Sequence, residues 1–245
     1  TMEYRPSSLA TFSLLFRNYP SNYQAMYARA FADGTRVQNE RGVYLGTTFH
    51  PLARVAVSLY GDVVRFPSPR YNIETPSSAI DFYMLSSYSF SQSNFLELRY
   101  KFKRKEKNAK YPDEKTTSVL PYQINKIRLR YQNTVKSGWY YRTTADFANY
   151  QLCYSAHEYG YMISQNLGYR GDKKIERDLF LGYFSADTFN TRLYSYERNL
   201  MNTFYMPSFY GKGVRGALSL RWNINKNLFL SIKASHTRYF NRDII

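Results

Sequence analysis

Residues 94–107, NFLELRYKFKRKEK, alternate apolar and polar side chains with almost no break until the closing run of charges. Successive side chains of a strand point to opposite faces. A period of two therefore puts Leu96, Leu98, Tyr100 and Phe102 on one face and Glu97, Arg99, Lys101 and Lys103 on the other. The same pattern recurs. Ile127, Leu129 and Tyr131 alternate with Lys126, Arg128, Arg130 and Gln132. Val214, Leu218, Leu220 and Trp222 oppose Arg215, Ser219 and Arg221, and Leu228, Leu230 and Ile232 oppose Ser231, Lys233 and Ser235. No window of a dozen residues sustains the 3.6-residue spacing of an amphipathic helix. The chain is predicted to be all-β.

Twelve strands are expected, near 9–18, 23–32, 42–50, 54–66, 79–90, 95–105, 122–133, 138–149, 157–169, 175–187, 213–223 and 228–240. Most exceed the usual globular strand of about 5–6 residues. They match the roughly 9–11 residues that a tilted strand needs to cross a bilayer. Connections alternate too. Short ones (YPSN, HPLAR, SQSN, TVKSG, RGDKK, NKN) separate longer ones near 33–41, 67–78, 106–121, 150–156 and 188–212. Short periplasmic turns alternating with long extracellular loops are the pattern of a transmembrane, antiparallel, up-and-down β-barrel. With these strands the first descends and the last ascends. A complete barrel of fourteen or more strands is therefore expected, with 1–245 as an internal segment forming one domain.

Composition excludes other classes. A disordered basic protein would be poor in aromatics, yet this chain has 26 Tyr and 17 Phe. No run of about 18 apolar residues exists to form a transmembrane helix, and mean hydropathy is −0.55. The opening TMEYRPSS lacks the apolar core of a secretory signal. One cysteine, Cys153, permits neither an intrachain disulfide nor a cysteine-based zinc site. A net charge of +16 points to anionic partners.

The candidate functional residues are the basic side chains expected to line the lumen: Arg99, Lys101, Lys126, Arg128, Arg130, Arg142, Arg215, Arg221 and Lys233. Arg17 joins them, and only Glu97, Asp146 and Glu158 oppose them, so pairing is not expected to absorb every cation. Rings of basic side chains favour anions in a pore; a plugged lumen would use the same charges structurally. The run 99–107 is a poor nucleic-acid arm, because Tyr100 and Phe102 face away from its cations, whereas such sites combine stacking with phosphate contact on one face. Arg104, Lys105 and Lys107 are expected to leave the strand for the loop at 106–121. His157 and Glu158, being adjacent, point to opposite faces, and no catalytic or nucleotide-binding motif is present. No enzyme activity, cofactor or metal is expected. Trp139, Tyr141, Tyr159, Tyr161 and Trp222 have the parity of a lipid-facing aromatic girdle.

The phrases RPSSLATFSLLFRNYPSNYQAMYARAF, RVQNERGVYLG, VVRFPSPRY, YKFKRKEKN and FYGKGVRGALSLRWNINKNLFL resemble a Bacteroidota outer-membrane β-barrel family. Its members carry an N-terminal periplasmic region with helix-hairpin-helix motifs, and this chain resembles the barrel part only. The resemblance implies a bacterial outer-membrane location, a region preceding Thr1 and a closing strand after NRDII. It transfers no site residue, and no helix-hairpin-helix lies in this chain. The expected partners are outer-membrane lipid, lipopolysaccharide and other outer-membrane or periplasmic proteins, with no nucleic-acid contact through this segment. The expected role is a structural, anchoring component of a larger outer-membrane assembly. The alternative is a porin-like passive pore with a basic, anion-favouring lumen.

Overall fold

The computed structural model describes residues 1–24, 30–34, 36–110, 117–171 and 174–240. Its principal strands are β1 (Met2–Ser7), β2 (Ala10–Tyr19), β3 (Glu40–Leu52), β4 (Val55–Phe66), β5 (Ser77–Ser91), β6 (Asn94–Lys110), β7 (Thr117–Thr134), β8 (Trp139–Leu152), β9 (Glu158–Tyr169) and β10 (Ile175–Ala186). Two short strands, β11 (Leu193–Tyr194) and β12 (Ser208–Phe209), precede β13 (Gly211–Asn223) and β14 (Phe229–Tyr239). All but β11 and β12 form one 12-stranded antiparallel up-and-down sheet in chain order, and β11 and β12 pair with each other. Two compact units are distinguished. The first comprises Thr1–Ser86, Arg99–Asn125 and Tyr150–His157; the second comprises Ser87–Leu98, Lys126–Asn149 and Glu158–Ile245.

The strand number equals the expected one through two compensating corrections. Met2–Ser7 is a strand that alternation did not reveal, an exposed edge strand in which Pro6 is tolerated. The expected strand at 23–32 is absent from its described residues, and 25–29 lie outside them. The chain does turn at Pro20, whose carbonyl accepts from Tyr23 N at 3.1 Å. The same carbonyl also accepts from Asn39 N at 3.1 Å, so the turn opens a long connection, 20–39, rather than a hairpin. β2 consequently pairs with β3, from Ala10↔Phe49 to Tyr19↔Glu40, and runs opposite to the expected direction.

The loop expected at 106–121 is also largely strand. β6 has 17 residues and β7 has 18, so Arg104, Lys105 and Lys107 stay in the sheet, and 111–116 lie outside the described residues. Alternation simply continues past the apolar part of each strand. Connections 20–39 and 187–210 are long, whereas 8–9, 53–54 and 92–93 are tight. The connection 153–157 is no longer than 224–228. Loop alternation is thus carried by the longest loops, not by every one.

Each unit sorts its side chains by parity. Across β2, β3 and β4 one face holds the rows Phe16–Val43–Val63, Leu14–Leu45–Gly61 and Phe12–Thr47–Leu59. Phe16 is 72%, Leu45 58% and Val63 57% exposed. The opposite face buries Arg17, Glu40 and Asp62. In the second unit Leu167, Leu179 and Leu218 form an exposed row, while Asp178 and Ser219, paired one residue away, are buried. Apolar outside and ionic inside reverses the usual amphipathicity of a soluble sheet.

Candidate functional site

The buried polar faces carry the chain's chemistry, and in each unit a long connection folds onto them. In the first unit, Arg17 lies opposite Gly42 in register and its guanidinium spans β3. A Cβ on residue 42 would stand 2.8 Å from Arg17 Cζ, so a side chain there would push the guanidinium out of its place. The guanidinium reaches Asp62 on β4 through two bonds of 2.8 and 2.9 Å, and donates to Glu40 through Nε. A fork meeting two carboxylates is the geometry in which arginine binds best. Glu40 also accepts from Asp33 N at 3.0 Å and Gly34 N at 3.2 Å, which ties connection 20–39 down.

Asp33 then reaches β6. It pairs with Lys103 at 3.2 Å and with Lys105 at 2.5 Å, and Lys103 and Lys101 pair with Asp81 at 3.1 and 3.5 Å. Burial alone would raise the Asp33 pKa. Lys105 and Lys103 outweigh it and hold the carboxyl below its ordinary value. Asn39 clasps the next connection, donating to Ser68 O at 2.7 Å and accepting from Ser68 N at 2.9 Å.

In the second unit, connection 187–210 enters through a 3-10 turn, Phe189–Thr191, capped by Thr188. Thr191 O packs where a Cβ on Gly160 would come within 2.5 Å, so that glycine admits the loop. Leu193 and Phe209, the paired residues of β11 and β12, insert into a buried cluster with Ala148, Met162, Phe180, Phe184 and Ala217. The Phe184 and Phe209 rings stand 5.0 Å apart. Beyond this apolar anchor the loop runs over charged side chains and collects them.

Most of the expected basic residues are found here. Lys126 donates to Arg192 O at 3.4 Å, and Arg128 donates to Tyr194 O at 2.7 Å while pairing with Asp146. Arg142 sits over the Tyr196 ring at 5.7 Å. Arg215 and Lys233 both bind Glu197, at 2.6 and 2.7 Å, and Lys233 also reaches Asn199. Burial pushes the Glu197 pKa up, but Arg215 and Lys233 overcome it and hold the carboxyl below its ordinary value. Arg198 runs the other way, from the loop to Asp178 and Glu176.

The remaining expected residues make other contacts. Arg130 pairs with Glu97 at 3.5 Å. Arg221 donates to Asn223 and covers the Phe229 ring at 4.5 Å. Arg99 is half-buried on β6, and Lys101 belongs with Asp81 in the first unit. The acidic set expected from parity was too small: Arg17, Lys101, Arg128, Arg130, Arg215 and Lys233 meet carboxylates, while Lys126, Arg142 and Arg221 are met by a carbonyl, an aromatic ring and an amide. Asp62, Asp81 and Asp178 share the polar parity and were legible as such. Glu40 and Glu176 stand at strand starts, while Asp33 and Glu197 sit on connections, where no periodicity assigns a face.

Among the described residues no group of His, Cys, Asp and Glu is arranged to hold a metal ion. The chemistry available is ion pairing and packing: polar faces filled by the chain's own loops. No family model matches this sequence, and no curated protein matches it either.

Proposed function

We propose that this chain is an integral β-barrel protein of the bacterial outer membrane, a structural and anchoring component whose interior is filled by its own loops. The observation that carries this reading is the inverted amphipathicity of the sheet. Soluble monomers rarely expose contiguous apolar patches beyond roughly 300–600 Å². Here exposed apolar side chains recur from β2 (Phe16) to β14 (Leu230, Ile232), while buried positions hold Arg17, Glu40, Asp62, Asp178 and Glu197. Lipid is the solvent that suits such an outer face. Closure into a barrel is the arrangement that leaves no unpaired strand edge in it.

A filled interior supports the anchoring role over the pore. Lys126, Arg128, Arg142, Arg215 and Lys233 all contact connection 187–210, so these cations are engaged within the molecule.

Detergent phase partitioning, heat-modifiable gel mobility and planar-bilayer conductance test the proposal together. The expected outcome is recovery only with detergent, a band that shifts on boiling, and no stable current at neutral pH. A stable anion-selective current would establish the pore instead. Recovery in the aqueous phase without detergent would remove the membrane reading and favour a soluble basic protein.

A further inference from the structure

Resting on the membrane reading, we propose that the row Asn18–Arg41–Arg65 binds the phosphate of a lipopolysaccharide headgroup. The three residues are direct cross-strand partners on β2, β3 and β4, Asn18 opposite Arg41 and Arg41 opposite Arg65. They share the apolar, exposed face. Every other residue on that face of these strands is uncharged, from Phe16, Val43 and Val63 in the next row to Ala10, Phe49 and Val57 in the last. The row therefore caps an apolar field at the end of the sheet from which connections 20–39 and 67–76 emerge. In a barrel with its long loops outside, that is the level of the outer leaflet's headgroups.

Two arginines facing each other on neighbouring strands repel, and like charges directly opposite destabilise a sheet. Cross-strand neighbours stand only about 4.5–5.5 Å apart at Cβ. Among the described residues neither arginine forms an ion pair with a carboxylate. Asn18 accepts from Arg41 Nε at 3.1 Å, which orients the guanidinium without neutralising it. Among the described residues, the terminal nitrogens of Arg41 and the whole fork of Arg65 stay available. A phosphate placed between them would accept from both forks and turn the repulsion into shared attraction.

The inner face behaves differently. There Arg17, one residue from Asn18, meets two carboxylates. Arginine is thus neutralised where the chain supplies an acid and left open where the surroundings would supply one. A membrane lipid is favoured over a free anion because the row borders the apolar field, so one ligand with acyl chains and a phosphate satisfies both surfaces.

The test uses the purified chain in detergent micelles with three probes: bis-phosphorylated lipid A, the same glycolipid with its phosphates removed, and inorganic phosphate. Binding is read by native mass spectrometry. The double variant Arg41→Gln/Arg65→Gln is expected to bind phosphorylated lipid A more weakly by on the order of tenfold, since basic residues act at a charged membrane surface singly and additively. Arg41→Lys/Arg65→Lys is expected to fall between, because charge is kept and the fork is lost. Dephosphorylated lipid should bind all three proteins alike, and millimolar inorganic phosphate should not displace the phosphorylated lipid.

Equal binding of phosphorylated lipid by wild type and both variants overturns the inference, as does displacement by millimolar inorganic phosphate, which would mark a free-anion site. Heat-modifiable mobility, checked on each protein, separates loss of the site from loss of the fold; if the glutamine variant fails that check, the lysine variant carries the comparison. Recovery of the wild type without detergent would overturn the membrane reading itself. A detergent-requiring protein with no arginine dependence overturns only the lipid site.

Discussion

Connections 20–39 and 187–210 both fold onto buried polar faces, but they are held by different chemistry. The described part of 20–39 is fastened mainly by polar contacts: Asp33 to Lys103 and Lys105, the backbone at Asp33 and Gly34 to Glu40, and Asn39 to Ser68. Connection 187–210 adds an apolar anchor, Leu193 and Phe209 in a cluster with Met162, Phe180 and Phe184, before it reaches Arg215 and Lys233. Ion pairs in low dielectric give specificity at a high desolvation cost, whereas apolar burial stabilises without regard to protonation. The first loop should follow the state of its carboxylates, and the second should outlast it.

The largest expected effect is at Glu197. Glu197→Ala leaves Arg215 and Lys233, both largely but not fully buried, without their carboxylate, and breaking a buried pair costs up to about 3–5 kcal/mol. Unfolding in denaturant should register that loss, and limited proteolysis should cut within 200–206, a segment rich in exposed apolar residues. If the variant is as stable and as resistant as wild type, Glu197 does not fasten the loop.

Phe209→Ala should cost about 3–5 kcal/mol by emptying a fully packed site. It should also make connection 187–210 as acid-sensitive as 20–39. The direction with pH follows from the carboxylates. Asp33 and Glu197 have lower pKa values folded than unfolded. Their contributions are complete above the ordinary values of 3.8 and 4.5 and fade as pH falls through the depressed ones. Proteolysis after exposure to falling pH should therefore release 20–39 in the wild type while the anchored ends of 187–210, around Leu193 and Phe209, stay protected, and release both connections in Phe209→Ala. Simultaneous release in the wild type would erase the distinction.

Asp33→Asn should loosen connection 20–39 by about 1–3 kcal/mol, the penalty of unmaking charged hydrogen bonds. Protection of 187–210 should not change. Smallest is Asn39→Ala, which removes the clasp to Ser68 and should cost on the order of 1 kcal/mol by thermal unfolding.

Much of this architecture is local in origin and so was readable. The period of two assigned the outer faces correctly at Leu98, Ile127, Leu129, Val214, Leu218, Trp222, Leu230 and Ile232, all exposed. It also placed Trp139, Tyr159 and Tyr161 on exposed surface. It failed at both ends of β2. Pro6 and the serines after it masked an edge strand, and the turn at Pro20 suggested a hairpin that does not form. Nothing within 9–32 announces that Arg17 will find Glu40 and Asp62, which lie 23 and 45 residues away.

The candidate site divides along the same line. Arg128, Arg215 and Lys233 were assigned to the polar face by parity, because a strand's geometry is repeated at every residue. Their partners Tyr194 and Glu197 lie in a connection without periodicity, so only the folded chain could bring them there. The alternating sequence by itself determined an all-β sheet with one apolar and one charged face, since side-chain direction in a strand needs no distant information. Tertiary structure alone decided what covers the charged face, since a buried cation is neutralised by whichever carboxylate packing delivers, however far along the chain it lies.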